Sequence, residues 1–142
     1  MTKEVLDLKY NILKVGDELP EKTFPPITRH TLALYCGSSG DHNPIHVDID
    51  FAKSAGLDDV IVHGMLSVGY LGRMLTNCMP QSSIRTWQNR FTAMTFIGDT
   101  VTCTGRIVEK FEKDGEKFLR LKLQTNTPNA QTIVAEAVVV FE

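Results

Sequence analysis

The amino-acid sequence predicts an α+β fold in which a curved antiparallel sheet wraps one apolar helix. Two patterns carry that expectation. Residues 62–76 include Met65, Leu66, Val68, Leu71, Met74 and Leu75, spread around the helical wheel, with Ser67 and Arg73 as the main polar surface. A helix apolar on nearly every side is usually buried, and this one is too short to cross a membrane. The C-terminal half alternates apolar and polar residues with period two, as strands with one wet face do. The helix needs a cover, and the strands can supply it.

The elements follow in order. Val15-Gly16-Asp17 and Pro20 predict a turn into a short extended segment that ends at Pro25-Pro26. Thr28 reads as the N-cap of a helix through Leu32, Leu34 and Tyr35, stopping near Gly37 or Gly40. Gly40 to His46 contains Pro44 and several turn formers, so it reads as a loop. A short helix over Ile49 to Ala55 follows, capped by Asp48 or Asp50 and stopped by Gly56. After the apolar helix, strands are expected from about Arg85 to Thr95, around Val101, Cys103 and Ile107, around Leu119, Leu121 and Leu123, and from Ala135 to Phe141, the last as a central strand. Asp114-Gly115 is a hairpin turn, and Pro128-Asn129 marks the next reversal.

At 142 residues the chain fits one domain, expected to span residues 1–142. Apolar residues at 42% and charged residues at 23% argue for a globular rather than a disordered or fibrous chain. A net charge of −2 with no Lys/Arg run gives no reason to expect nucleic acid as a partner. The first twenty residues lack the apolar core of a leader, and their acidic residues do not suit a mitochondrial transit peptide. No stretch approaches the roughly 18 apolar residues of a membrane span, so no membrane partner is expected. Cys36, Cys78 and Cys103 are odd in number, far apart and outside any nucleophile setting. They read as structural thiols of a cytoplasmic protein.

The chemistry concentrates in Ser39-Gly40-Asp41-His42-Asn43-Pro44-Ile45-His46-Val47-Asp48 and Ile61-Val62-His63-Gly64-Met65-Leu66. Asp41 and His46 lie five residues apart on a Pro-containing loop and can face one place. A carboxylate and an imidazole together can hold a water, one accepting its proton while the other positions it, and the carboxylate would fix the imidazole's tautomer. Spacing alone favours a plainer reading, an Asp capping a turn beside a pocket-filling His. His63-Gly64 opens the apolar helix, whose first N–H groups lack intrahelical partners and carry the positive dipole end. A substrate oxygen could approach the bare Gly64 N–H, and such donors contribute roughly 2.7–4 kcal/mol to a transition state. A glycine that only eases the helix into a crowded core is an equal alternative.

Other chemistries fit less well. His42 and His46 have i, i+4 spacing, but Pro44 opposes the helix that would align them, and no Glu completes a zincin motif. No metal is expected. Ser38 and Ser39 lie outside a G-x-S-x-G elbow, and phosphate loops and dinucleotide fingerprints are absent.

Taken together, Gly40-Asp41-His42-Asn43-Pro44-Ile45-His46, Val62-His63-Gly64-Met65-Leu66, Phe91 and Ile97-Gly98-Asp99-Thr100-Val101 resemble the MaoC-type hydratases, the (R)-specific enoyl-thioester hydratase/dehydratase family. The resemblance runs from about Val15 to Glu142. It implies a hot-dog fold, at least dimeric, and reversible syn addition of water to a trans-2-enoyl thioester, giving the (3R)-hydroxyacyl product. By position, Asp41 would be the base, His46 would orient the water and assist proton delivery to Cα, and the Gly64 N–H would receive the thioester carbonyl. His63 and Asn43 would belong to the same binding set, Asn43 and Pro44 chiefly shaping the loop. The acyl chain would run between sheet and helix, with acyl-CoA or acyl carrier protein as the substrate handle and no cofactor.

Lys14–Thr23 and Asn89–Ala93 are most similar to small dehydratase subunits of bacterial fatty-acid synthesis, some of which pair with a partner lacking the Asp/His set. A heterodimer is therefore open, although the complete motif lets a homodimer work alone. One position departs from the family: where some members carry a serine on the central helix that supports the carboxylate, this chain has Gly72. Gly69 and Gly72 inside the helix leave two readings, a close backbone approach from sheet or partner, or room for a bulky acyl chain. The rival functions are a hot-dog thioesterase and a non-catalytic acyl-thioester-binding subunit. The Asp41/His46 pair with His63-Gly64 favours hydration over both.

Overall fold

The computed structural model describes residues 10–141. Met1 to Lys9, part of the stretch read above for a leader, and Glu142 lie outside the described residues, as do those ends of the expected 1–142 domain.

A two-residue strand β1 (Lys22–Thr23) precedes helix α1 (Arg29–Ser39). Thr28 caps α1 as its sequence suggests, its Oγ1 accepting from the Thr31 N–H at 3.1 Å, a contact typically worth about 1 kcal/mol. Gly40 ends the helix in the left-handed region at φ 74°. A single 3₁₀ turn (Pro44–His46) leads to α2 (Ile49–Ser54), whose N-cap is Asp48. Then come the long helix α3 (Gly64–Cys78) and four strands, β2 (Ile84–Phe91), β3 (Thr102–Lys113), β4 (Glu116–Asn126) and β5 (Gln131–Phe141).

The five strands form one antiparallel sheet in the order β1-β3-β4-β5-β2. Asp114 and Gly115 take successive positive φ values of 52° and 81°, the twist a two-residue hairpin between β3 and β4 demands. Leu119, Leu121 and Leu123 are fully buried on one face of β4, while Arg120 crosses the other face to reach Glu109 and Glu136 at 2.7 Å each. α3 packs on β3 and β4. Leu71, Met74 and Leu75 lie in the same core as those leucines, each such side chain contributing on the order of 1.5–3 kcal/mol. A β-carbon at Gly105 of β3 would stand 2.6 Å from Leu123 and 3.0 Å from Leu19, so this glycine permits the tight layer. The buried helix against a curved antiparallel sheet is the hot-dog arrangement.

Three expectations need correction. α3 is buried on one stripe only; Met65, Gly69 and Arg73, spaced by four, stay exposed because the sheet is a single layer and covers a single side. Ser67, read as polar surface, lies on the covered stripe and is 1% exposed. The strand expected to reach Thr95 stops at Phe91: Thr92 makes its last bond to β5, its N–H donating to the Thr132 carbonyl. The chain then turns toward α3, where the Thr95 carbonyl accepts from the Val62 N–H and Phe96 bridges to Ile61. No helix among the described residues is long and apolar enough to cross a membrane.

Candidate active site

The loop after α1 is rigid because its own polar groups close it. The Asp41 N–H donates to Ser39 Oγ at 3.1 Å, and the Asn43 N–H donates to Asp41 Oδ1 at 3.3 Å. Asn43 Oδ1 in turn accepts from the Ile45 N–H at 3.1 Å, capping the 3₁₀ turn in which Pro44 sits at the first position. That turn delivers His46. Its Nδ1 lies 2.7 Å from the Ile61 carbonyl, and since a carbonyl only accepts, Nδ1 carries the hydrogen. Ile61, not Asp41, therefore fixes the tautomer. The second nitrogen, Nε2, faces Asp41 Oδ2 at 3.9 Å.

That separation is too long for a hydrogen bond and suits a bridging water. A water about 2.8 Å from both atoms would subtend roughly 90° between them, close to its own H–O–H angle. Both neighbours are acceptors, so both water hydrogens would be engaged and the oxygen lone pairs left free. His46's side chain is 11% exposed and Asp41's 48%, so the imidazole is walled in while the carboxylate opens to solvent.

His63 supports this pair from beneath. It is 1% exposed, its ring stacks on His46 at 3.9 Å between centroids, and Tyr35 meets it edge-on at 4.8 Å. Its Nε2 donates to the Asp41 backbone carbonyl at 3.2 Å. Burial holds the imidazole below its ordinary pKa, with neighbouring His46 acting in the same direction and the bond to Asp41 opposing both. Burial also pushes Tyr35 up, with Asp41 adding to it.

Asp41, His46, Gly64 and Ser67 line one cavity of about 350 Å³ together with Ile61, Val62, Met65, Phe91, Thr95 and Ile133 among others. Gly64 is the first residue of α3, where a helix leaves its N–H groups without intrahelical partners, and a β-carbon on it would lie 2.7 Å from a Phe91 ring carbon. The sequence-nominated set thus divides. Asp41, His46 and Gly64 line the cavity; buried His63 and exposed Asn43 do not line it, and each bonds to Asp41. His42 joins neither group. Gly69 and Gly72 do not line the cavity, and a β-carbon on either would meet nothing within 4 Å. The sheet does not approach them, and they give no room to a chain in this cavity.

Asp41, His46 and His63 each offer a ligand atom within 4.8 Å of the others, so His63 rather than His42 completes the local donor set. By number they could hold a metal. Stacked rings inclined by 24°, however, keep their lone pairs in nearly parallel planes, whereas a tetrahedral ion needs them to converge. Cysteine chemistry fits worse: burial pushes the Cys103 thiol up to about 12 and raises Cys78 as well, so neither is a ready nucleophile. Sequence reading passed over Ser67, Thr95, Thr132 and Ile133, which line the cavity. A signal, a polar residue inside an apolar run, was present for Ser67 and for Thr95, which Met94 and Phe96 flank.

The chain matches the family described as MaoC like domain over residues 14–127. It is 34% identical over 119 residues to an (R)-specific enoyl-CoA hydratase of Rhodospirillum rubrum, covering 80% of this chain and 78% of that protein. Against enoyl-CoA hydratase 2, peroxisomal, of Arabidopsis thaliana the identity is 30% over 92 residues, covering 63% of this chain but 30% of that longer protein. Among solved structures it is similar to the unliganded R-hydratase PhaJ1 of Pseudomonas aeruginosa, with a TM-score of 0.79 and 27% identity over 92% of this chain and 83% of the other. With the fold, the loop and the helix start all in agreement, this chain belongs to the MaoC-like family.

Proposed function

We propose that this protein hydrates trans-2-enoyl thioesters reversibly to (3R)-3-hydroxyacyl thioesters. The observation that carries the reading is the 3.9 Å gap between Asp41 Oδ2 and His46 Nε2, a seat for one water at the wall of an acyl-sized cavity. The thioester carbonyl accepts from the Gly64 N–H, at the positive end of α3, which draws electrons from C3. The seated water attacks C3, and the C2=C3 electron pair moves onto the carbonyl as an enolate. Asp41 takes the water's proton, and the Asp41/His46 pair returns a proton to C2 from the same side, so addition is syn and no proton is gained or lost overall. The relatives' names support this chemistry.

The handle is CoA or acyl carrier protein. A second copy of the chain is the partner we propose, since β2 is an edge strand with no further strand on its outer side among the described residues, and Phe91 at its end and Met94 just beyond it are more than half exposed. Free Cys36, Cys78 and Cys103 suit a reducing compartment such as the cytoplasm. The test is hydration of crotonyl-CoA followed at the enoyl absorbance, with free thiol measured in parallel and solution mass determined on the same sample. Loss of enoyl signal without thiol is expected. Thiol release with the enoyl intact would instead identify a thioesterase.

A further inference from the structure

Ser67 does not fit a cavity made only for hydrocarbon. It lies one helical turn beyond Gly64 on the sheet-facing side of α3, is 1% exposed, and lines the cavity. Its Oγ has no hydrogen-bond partner among the described residues. A helical serine commonly satisfies itself on the carbonyl four residues back, here His63, but Ser67 makes no such bond. Thr132, across the cavity, is different: its hydroxyl already pairs with Thr125 at 2.7 Å. Around Ser67 the lining is chiefly apolar, including Val62 and Ile133. A buried hydroxyl in such surroundings disfavours any ligand that covers it without bonding to it.

Building on the hydratase reading, we propose that Ser67 is a specificity-determining residue that hydrogen-bonds a hydroxyl carried on the acyl chain beyond C3. With the thioester at Gly64 and C3 at Asp41 and His46, the remaining chain passes between α3 and the sheet, the side to which Ser67 points. A site built to bond a substrate hydroxyl rejects the analogue lacking it, because the protein hydroxyl is then left buried and unpaired. The preferred substrates are therefore short trans-2-enoyl thioesters bearing a hydroxyl, over hydrocarbon chains of equal volume.

Two matched pairs of CoA thioesters test this: trans-5-hydroxypent-2-enoyl against trans-hex-2-enoyl, and trans-4-hydroxypent-2-enoyl against trans-4-methylpent-2-enoyl. In at least one pair the wild type should favour the hydroxylated member by about tenfold or more in kcat/KM. Ser67→Ala should collapse that ratio toward one, raising the hydrocarbon rate while lowering the other, and Ser67→Cys should fall between. A ratio near one in both wild-type pairs would overturn the proposal. So would an equal drop for both members in Ser67→Ala, which would place the hydroxyl on the thioester carbonyl or the water. Crotonyl-CoA serves as the control: no hydration of it by the wild type would fail the hydratase reading itself, whereas normal hydration with unit ratios fails only the role given to Ser67.

Discussion

The imidazole of His46 lies over that of His63 with 3.9 Å between ring centroids and 24° between planes, and each ring is tied to a backbone carbonyl, His46 to Ile61 and His63 to Asp41. The lower ring thus orients both Asp41 and His46. It braces His46 by stacking and Asp41 through its main chain.

His63 should make folding stability depend on pH. Its folded pKa is depressed, chiefly by burial, so the unfolded chain binds the proton more readily. The stabilisation is complete above the ordinary imidazole value of about 6.5 and is lost as pH falls below it. Urea unfolding between pH 7.5 and 5 should show the midpoint dropping at the acid end. His63→Asn, whatever its midpoint at neutral pH, should show a shallower drop. An unchanged slope would mean that His63 is not the titrating group.

Asp41→Asn and His46→Gln should each lower kcat/KM for crotonyl-CoA by about 10²–10⁴-fold, the usual span for acid–base groups. Neither change removes the α1 cap or the core, and an asparagine oxygen can still accept from the Asn43 N–H. Circular dichroism and the unfolding midpoint should therefore stay near wild type. Near-native turnover in either variant would show that the water is activated elsewhere.

Gly64→Ala should separate stability from activity. Its β-carbon would stand 2.7 Å and 3.0 Å from two Phe91 ring carbons, so the ring must move. Phe91 is 52% exposed and can swing outward, which keeps the stability change within about 1 kcal/mol once the helix preference for Ala is counted. The cavity wall moves with it, so kcat/KM should fall on the order of 10- to 100-fold, since small displacements at a reacting centre are costly. Adding Phe91→Leu should restore part of the rate. If it does not, the added methyl itself blocks the approach to the Gly64 N–H.

The sequence made the architecture legible where one residue type had one physical use. Thr28 and Asp48 cap because their oxygens reach free N–H groups, and Asp114-Gly115 turns because both adopt positive φ. The two motif segments lie close together through Ile61, whose N–H donates to the Ile45 carbonyl and whose own carbonyl accepts from His46. Periodicity cannot show such a contact. The roles within the set were less legible: His63 and Asn43 stand beside cavity residues in the chain but do not line the cavity. Ser67 was misread because a helical wheel shows where polar residues fall and not which side the sheet covers.

The open side of α3 yields the last prediction. Gly69 is exposed, has ordinary helical φ, and a β-carbon there meets nothing within 4 Å. In a helix interior glycine costs about 1 kcal/mol relative to alanine, so Gly69→Ala should stabilise by up to that amount and raise Tm by roughly 4 °C. Neither His46 nor Gly64 shifts, and turnover should be unchanged. The sign of the effect also reports on assembly. If a partner's backbone packs on the Met65-Gly69-Arg73 stripe, the added methyl would be trapped and the same substitution would destabilise and lower the solution mass. Thermal unfolding and sedimentation of one sample distinguish the two outcomes. Stabilisation with unchanged mass removes this helix face as a contact between copies and leaves the proposed β2 edge.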